Sequence, residues 1–296
     1  MKSILTSRLV DSQSSLSRLL KMAASRNGRL LSTGSNKGDG TLGDKQPSTE
    51  KILVFGGNGF VGSHICREAL ERGLTVHSLS RSGRPSYQDS WTNSIVWHQG
   101  DLLSPDSFKS AMTGVTSVIS CVGGFGSNPH MYRINGTANI NAVIAAAEQG
   151  VKRFVYISAA DFGLMYYLLR GYFEGKRATE TELTKKLPHG GLVSFSLALI
   201  LDFCLYCLQL GVILRAGFIH GTRRVGQMKL PLSVIGAPLE MILKRAKLLS
   251  KIPLIGPLFI PPVHVTSVAK VAVTAATDPT FPPGIIDVYG ILQHGH

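Results

Sequence analysis

Tyr172 and Lys176 stand four residues apart, the separation that puts two side chains on one face of a helix. A free tyrosine, with a pKa of about 10, is a poor base at neutral pH. A lysine cation beside it favours the phenolate and moves the hydroxyl toward a working range. Ser158 ends the apolar run from Val151, where its hydroxyl could hydrogen-bond a carbonyl and stabilise charge building on that oxygen. The chain has eight tyrosines, so Tyr-x-x-x-Lys arises easily by chance, and its weight comes from the elements around it. The alternative is a surface helix tyrosine in a protein that binds a nucleotide without turning it over.

Those residues need a frame, and Lys51 to Arg84 supplies it. Lys51-Ile52-Leu53-Val54-Phe55 is short, apolar and β-branched, the pattern of a strand buried on both faces. It breaks into Gly56-Gly57-Asn58-Gly59-Phe60-Val61-Gly62. A helix-like segment follows from Ser63 to Arg72, Gly73 closes it, and Leu74 to Leu79 is a second strand. Strand, glycine turn, helix and strand make a dinucleotide-binding βαβ unit. The turn must be tight, bare backbone must meet a pyrophosphate, and the helix must pack close to the sheet. Gly57, Gly59 and Gly62 fit G-x-G-x-x-G, and Gly56, Gly59 and Gly62 fit the looser G-x-x-G-x-x-G. The helix N-terminus then offers free N–H groups and a positive dipole end to phosphates.

The end of the second strand bears on which dinucleotide is bound. An NAD site usually places Asp or Glu there to hold the ribose 2′-hydroxyl. This chain has Ser80-Arg81-Ser82-Gly83-Arg84. Arg81 or Arg84 can pair with a 2′-phosphate, which favours NADP(H) over NAD(H); a solvated basic turn is the alternative.

The alternation continues downstream. Ser94 to His98 is a third strand leading to Gln99-Gly100-Asp101-Leu102, which puts Asp101 and Leu102 in the cofactor set. Ser104-Pro105-Asp106 predicts a helix start, with Ser at the cap and Pro at the first helical position. A fourth strand, Val115 to Val122, runs into Gly123-Gly124-Phe125-Gly126. That second bare-backbone loop adds Val122 and Gly123 as a rest for the nicotinamide half. Asn135-Gly136-Thr137 opens an alanine-rich helix to Gln149, and Val151 to Ser158 is strand five. The pattern predicts an α/β fold with a doubly wound parallel sheet and ligands at the carboxyl ends of its strands.

Residues 1–49 do not fit that pattern. From Met1 to Lys37 there are seven Lys or Arg against one acid, Asp11, with abundant serine and leucines that can share a helix face. This is the composition of an organelle transit peptide. Arg29-Leu30-Leu31-Ser32-Thr33 looks like a matrix-processing site, which puts mitochondria first and chloroplasts second, and a polar linker follows. Beyond it, 23 Lys and Arg less 14 Asp and Glu leave +9 of the whole chain's +13, suited to anionic cofactors or lipid headgroups. No nucleic-acid motif accompanies that charge, no ligand spacing suggests a metal, and four cysteines lack the spacing of a disulfide framework.

Gly-Gly-Asn-Gly-Phe-Val-Gly, Gly100-Asp101-Leu102, Asn135-Gly136-Thr137, Val151 to Ser158 and Tyr172-x-x-x-Lys176 come in the order seen in extended and atypical short-chain dehydrogenase/reductases. From Lys51 to about Gly290 the chain resembles that family. It is most similar to the NAD-dependent epimerase/dehydratase-like branch holding the accessory subunit of respiratory complex I and the coenzyme Q biosynthesis proteins. Gly171-Tyr172-Phe173-Glu174-Gly175-Lys176-Arg177 looks most like plant mitochondrial members. The resemblance implies catalytic roles for Ser158, Tyr172 and Lys176, with Lys176 also holding ribose hydroxyls. It equally admits structural or assembly factors, which the branch includes. Phe55 and Ala216 depart from the threonine and proline common at those places in extended members.

The domain plan is a targeting segment and linker (1–49), a Rossmann core (50–221), and a small substrate lobe returning to the core (222–296). Within the core, 192–210 is an anomalous apolar run that relatives lack, as the resemblance implies. A membrane helix, a buried extra helix and an unspliced or misassigned stretch all account for it, and the last is favoured because deletion rejoins glycine to glycine. Cys204-x-x-Cys207 inside it has no second ligand pair. Leu230 to Pro262 is apolar and basic, with Met241 to Leu249 as a candidate amphipathic helix. That content suits a quinone-like lipophilic substrate, an inner-membrane surface or contact with a protein complex; simple capping of the sheet edge is the alternative.

Overall fold

The apolar run ahead of the glycine turn is β1, Lys51–Phe55, and its alternation shows why it is buried on both faces. Ile52 and Val54 join the core on one side of the sheet, while Leu53 and Phe55 join the core on the other. The computed structural model describes residues 50–295 apart from 88, 162, 164, 188–208, 226–227 and 246–258. The expectations for the targeting segment, for Cys204 and Cys207, and for nearly all of 192–210 lie outside the described residues.

Along the chain, β1 is followed by α1 (Phe60–Glu71), β2 (Thr75–Ser80), β3 (Val96–Gln99) and β4 (Ser117–Ser120). Then come α2 (Asn128–Tyr132), α3 (Ala138–Glu148), β5 (Arg153–Ala159), α4 (Met165–Leu168) and α5 (Arg170–Lys186). Next are β6 (Leu210–Ala216), β7 (Ile219–His220), β8 (Thr222–Val225), β9 (Met228–Pro231) and α6 (Ser233–Arg245). The last elements are β10 (Val263–His264), α7 (Val265–Thr277), β11 (Gly284–Ile286) and α8 (Val288–His294). Seven strands form a wholly parallel sheet in the order β3-β2-β1-β4-β5-β6-β11. The order reverses at β1 and β4, and ligands of such sheets sit at that switch point.

One face is covered by α1, α7 and α8, through Ile65, Ala69, Val268, Ala272 and Ile291. The other is covered by α3 and α5, through Ala142, Ala146 and Leu183, with Phe108 and Met112 beside them. Two small pairings stand off the sheet: β7 with β10 in parallel, and the β8–β9 hairpin.

Three local expectations change. The helix predicted from Ser104 is two short 3₁₀ turns, Pro105–Ser107 and Lys109–Met112, and Ser104 caps nothing with its side chain. The turn breaks at Phe108 (φ −133°), whose fully buried ring meets Phe55 edge-on at 5.9 Å; packing overrides the cap signal. The alanine-rich helix is already under way at Asn128, and Asn135 sits in a π-turn, Arg133–Thr137. Finally, Gln209 and Leu210, grouped by sequence with the apolar run, belong to the core. Leu210 stands in register with Arg153, and Gln209 Nε2 donates to the carbonyls of Ala147 and Val151, each at 3.1 Å.

Candidate functional site

The glycine turn works through missing β-carbons, each for a different reason. Gly56 takes φ +83°, a conformation that side chains rarely adopt. A β-carbon on Gly62 would stand 2.1 Å from the Gly56 carbonyl oxygen, so α1 approaches the turn only because that atom is absent. On Gly57 it would stand 2.2 Å from Ser78 Oγ on β2. Gly59 closes the turn, its N–H donating to Gly56 O at 2.8 Å, and stands at the N-cap of α1. Phe60 is the first residue of that helix, and Val61 packs against the core.

Asn58 fastens this turn to the loop after β2. Its Nδ2 donates to Gly83 O at 2.9 Å and to Ser82 Oγ at 3.2 Å, while its buried Oδ1 has no partner. A cleft of about 620 Å³ opens here. Gly56, Asn58 and Gly59 line it from the turn, Ser80 and Arg81 from the end of β2 and the residue after it, Asp101 and Leu102 from the loop after β3, and Val122 and Gly123 from the loop after β4. Arg81 is exposed. Arg84 lies outside this cleft, on the wall of an adjoining groove along α1, with its guanidinium on Asn93 Oδ1. Asp101 is partly engaged, its Oδ1 accepting from Leu103 N at 3.0 Å.

At the β4 end, Asn135 pins the second glycine loop, donating to Gly124 O at 2.8 Å and accepting from Gly124 N at 3.3 Å. Lys176, on α5, reaches under this loop. Its Nζ donates to Ile157 O at 2.9 Å and lies 3.5 Å from Val122 O. Burial pulls its pKa down to about 8. The ammonium lies 4.8 Å from the centre of the Tyr156 ring and 5.7 Å from that of Tyr172, so it faces the rings.

Burial pushes the pKa of the Tyr172 hydroxyl up, with Arg177 opposing, while Lys176 Nζ lies over the ring and donates to Ile157 O. Phe125 stacks on the Tyr172 ring at 5.0 Å and 12°.

Ser158 is placed at the end of β5 as expected, but its hydroxyl is engaged. Ser158 Oγ donates to Glu180 Oε1 at 2.6 Å. Glu180 is buried and also accepts from Arg177 and from Arg215, whose NH2 is 2.6 Å from Oε2. Arg177 runs on to Ala159 O at 2.6 Å and Asp161 Oδ1 at 2.7 Å. Sequence reasoning missed this network and the Asn135 clamp. A signal existed for Glu180: it lies four residues beyond Lys176 and eight beyond Tyr172, on the same side of one helix. Among the described residues no cluster of His, Cys, Asp or Glu could hold a metal.

Sheet order, switch point and glycine turn define a dinucleotide-binding Rossmann protein. The family model described as NAD(P)H-binding matches residues 56–187. A chloroplastic protein of Arabidopsis thaliana, At1g32220, is 39% identical over 79% of this chain and 73% of its own length. MIOREX complex component 2 of Saccharomyces cerevisiae is 37% identical over 25% of this chain and 28% of its own. The structure of MoeE5 in complex with UDP-glucuronic acid and NAD shares the fold, with a TM-score of 0.54 and 19% identity over 80% of this chain and 76% of that one. The chain belongs to the NAD(P)-binding, NAD-dependent epimerase/dehydratase-like short-chain dehydrogenase/reductase family.

Proposed function

We propose that the protein is an NADP(H)-dependent reductase of a carbonyl on a lipophilic, quinone-like substrate, working in a mitochondrion. The observation that supports this reading is Lys176 Nζ, 3.5 Å from the carbonyl of Val122, which lines the cleft, and 5.7 Å from the centre of the Tyr172 ring. A dinucleotide with its phosphates on the glycine turn would extend its nicotinamide toward Val122. Bound, it supplies the hydride, which goes to the substrate's carbonyl carbon. The raised pKa of Tyr172 then suits the reductive direction, since the hydroxyl stays protonated and can hand its proton to the carbonyl oxygen.

Phe125, Tyr167 and Leu168, exposed by 68, 77 and 66%, stand on the segments that follow β4 and β5 and favour an apolar substrate. The absence of an acid after β2, with Arg81 and Arg84 there instead, favours NADP(H). The basic, serine-rich first residues favour an organelle. The chloroplastic Arabidopsis relative supports the plastid as the other destination, and the coenzyme Q pathway is the mitochondrial setting this reading prefers.

Tyr172→Phe tests it. NADPH oxidation with a short-chain quinone should fall by roughly 100-fold or more, while the thermal shift given by NADPH is kept. Unchanged turnover would remove Tyr172 from the reaction.

A second reading has its own support: a non-catalytic, nucleotide-binding assembly or regulatory factor of the coenzyme Q or complex I machinery. Ser158 is tied to Glu180, and the yeast relative is by its name a complex component. Copurification with that machinery, unaffected by Tyr172→Phe, would favour it.

A further inference from the structure

The α6 helix carries its apolar side outward. Its inner side is fixed by Gly236, where a β-carbon would stand 2.3 Å from His220 Cγ, by Glu240 Oε2 at 2.5 Å from His220 Nε2, and by buried Leu243. On the far side Val234, Met241 and Ile242 are 72, 66 and 62% exposed. With Pro238 they fall within an arc of about 100° at 3.6 residues per turn. A surface helix ordinarily buries such a stripe.

The exposure has a location. Phe218, 50% exposed, lies just past β6, and Phe125 and Leu168 follow β4 and β5. All leave the carboxyl ends of parallel strands, so open apolar surface gathers at the sheet edge that holds the cleft. The segment that carries this helix is basic in sequence. From Thr222 to Ile260 the sequence carries seven Lys or Arg against one acid, Glu240. Glu240 is itself spent, accepting from His220 at 2.5 Å and from Lys244 at 2.8 Å.

We propose that α6 docks this edge of the protein on an anionic lipid bilayer, lying in the interface with Val234, Met241 and Ile242 toward the acyl chains. An outward apolar stripe within a basic segment is the pattern of an interfacial helix. A second copy of the chain would oppose basic surface to basic surface, which disfavours it as the occupant. No helix among the described residues is long and apolar enough to cross a membrane. The docking stands apart from the hydride-transfer reading, because vesicles can be bound without cofactor or substrate.

The test is co-sedimentation of the full chain with phosphatidylcholine vesicles, with and without roughly 30 mol % phosphatidylglycerol. The variants are Met241→Glu with Ile242→Glu, and, as a control, Val96→Glu, an exposed apolar site on β3. The NADPH thermal shift checks that each variant is folded. Wild type and control should pellet with the anionic vesicles only, and the double variant should bind about tenfold more weakly or worse. Because the basic first residues also attract anionic lipid, equal pelleting of the double variant would overturn the proposal. So would equal binding to neutral vesicles, or no binding at all. A dimer in sedimentation velocity that the double variant dissolves, without vesicle binding, would assign the stripe to a second copy.

Discussion

The glycine turn that lines the cleft and the Glu180 network at the end of β5 are built by opposite means. At the turn the shape comes from atoms that are missing: Gly56, Gly57 and Gly62 let backbone touch backbone and strand. At the end of β5 the shape comes from a hydroxyl and three charged side chains gathered from distant positions. Ser158, Arg177, Glu180 and Arg215 converge from one helix and two strands. The first has no rotamers to adjust and is ready for a ligand. The second has an arrangement in which Ser158 and Lys176 both donate to groups inside the protein. A rigid phosphate site can thus be inherited unchanged while the chemistry beside it is lost or redirected by a single rotamer. The same contrast explains why one fold accommodates both an enzyme and an assembly factor.

The contrast breaks most visibly at Gly62. A β-carbon there meets the Gly56 carbonyl oxygen at 2.1 Å and Gly57 Cα at 2.8 Å, both backbone atoms that cannot swing away. Gly62→Ala should therefore lower the melting temperature by something like 6–12 °C, from an overpacking penalty near 3 kcal/mol, and abolish the NADPH shift. Gly59→Ala, whose β-carbon meets only Gly56 O at 3.1 Å, should do much less. Equal effects, or a Gly62→Ala protein that binds as before, would mean the turn is more compliant than its geometry.

Lys176 sharpens the other region through pH. Its pKa falls from 10.5 in the free side chain to about 8 in the fold, because burial penalises the ammonium. Between those values the unfolded chain holds the extra proton, so wild-type stability must rise with pH and the penalty is full below pH 8. Across about pH 8 to 9.5 wild type should gain about 1.5 kcal/mol relative to Lys176→Met in urea unfolding. A difference that stays flat, or shrinks as pH rises, would show that Lys176 is solvated and free to turn toward Tyr172.

Legibility in the sequence followed the same division. Missing β-carbons are written as glycines, so the turn, its strands and its helix could be placed from Lys51 to Leu79 to within a few residues. The apolar run from Val151 likewise announced β5. The Glu180 network was not legible, because Arg215 and Ser158 meet it only once β5 and β6 pair in register, Ser158 opposite Arg215. The failed helix at Ser104 has the same origin: a correct local cap signal lost to the burial of Phe108. Gln209 was misgrouped because a polar residue beside an apolar run reads as its edge, whereas its amide closes the end of α3.

The smallest effect belongs to Arg81. It lines the cleft beside Ser80 but is exposed, so its attraction to a 2′-phosphate is screened and shared with water. Arg81→Ser should weaken NADPH by no more than about tenfold, some 1.4 kcal/mol, and leave NADH within a factor of about two. The weakening should fade as salt rises. Arg84 makes the comparison internal: its guanidinium is on Asn93 and faces the adjoining groove, so Arg84→Ser should move the NADPH-to-NADH ratio less than Arg81→Ser does. If Arg81→Ser leaves that ratio untouched, the basic turn is only solvated.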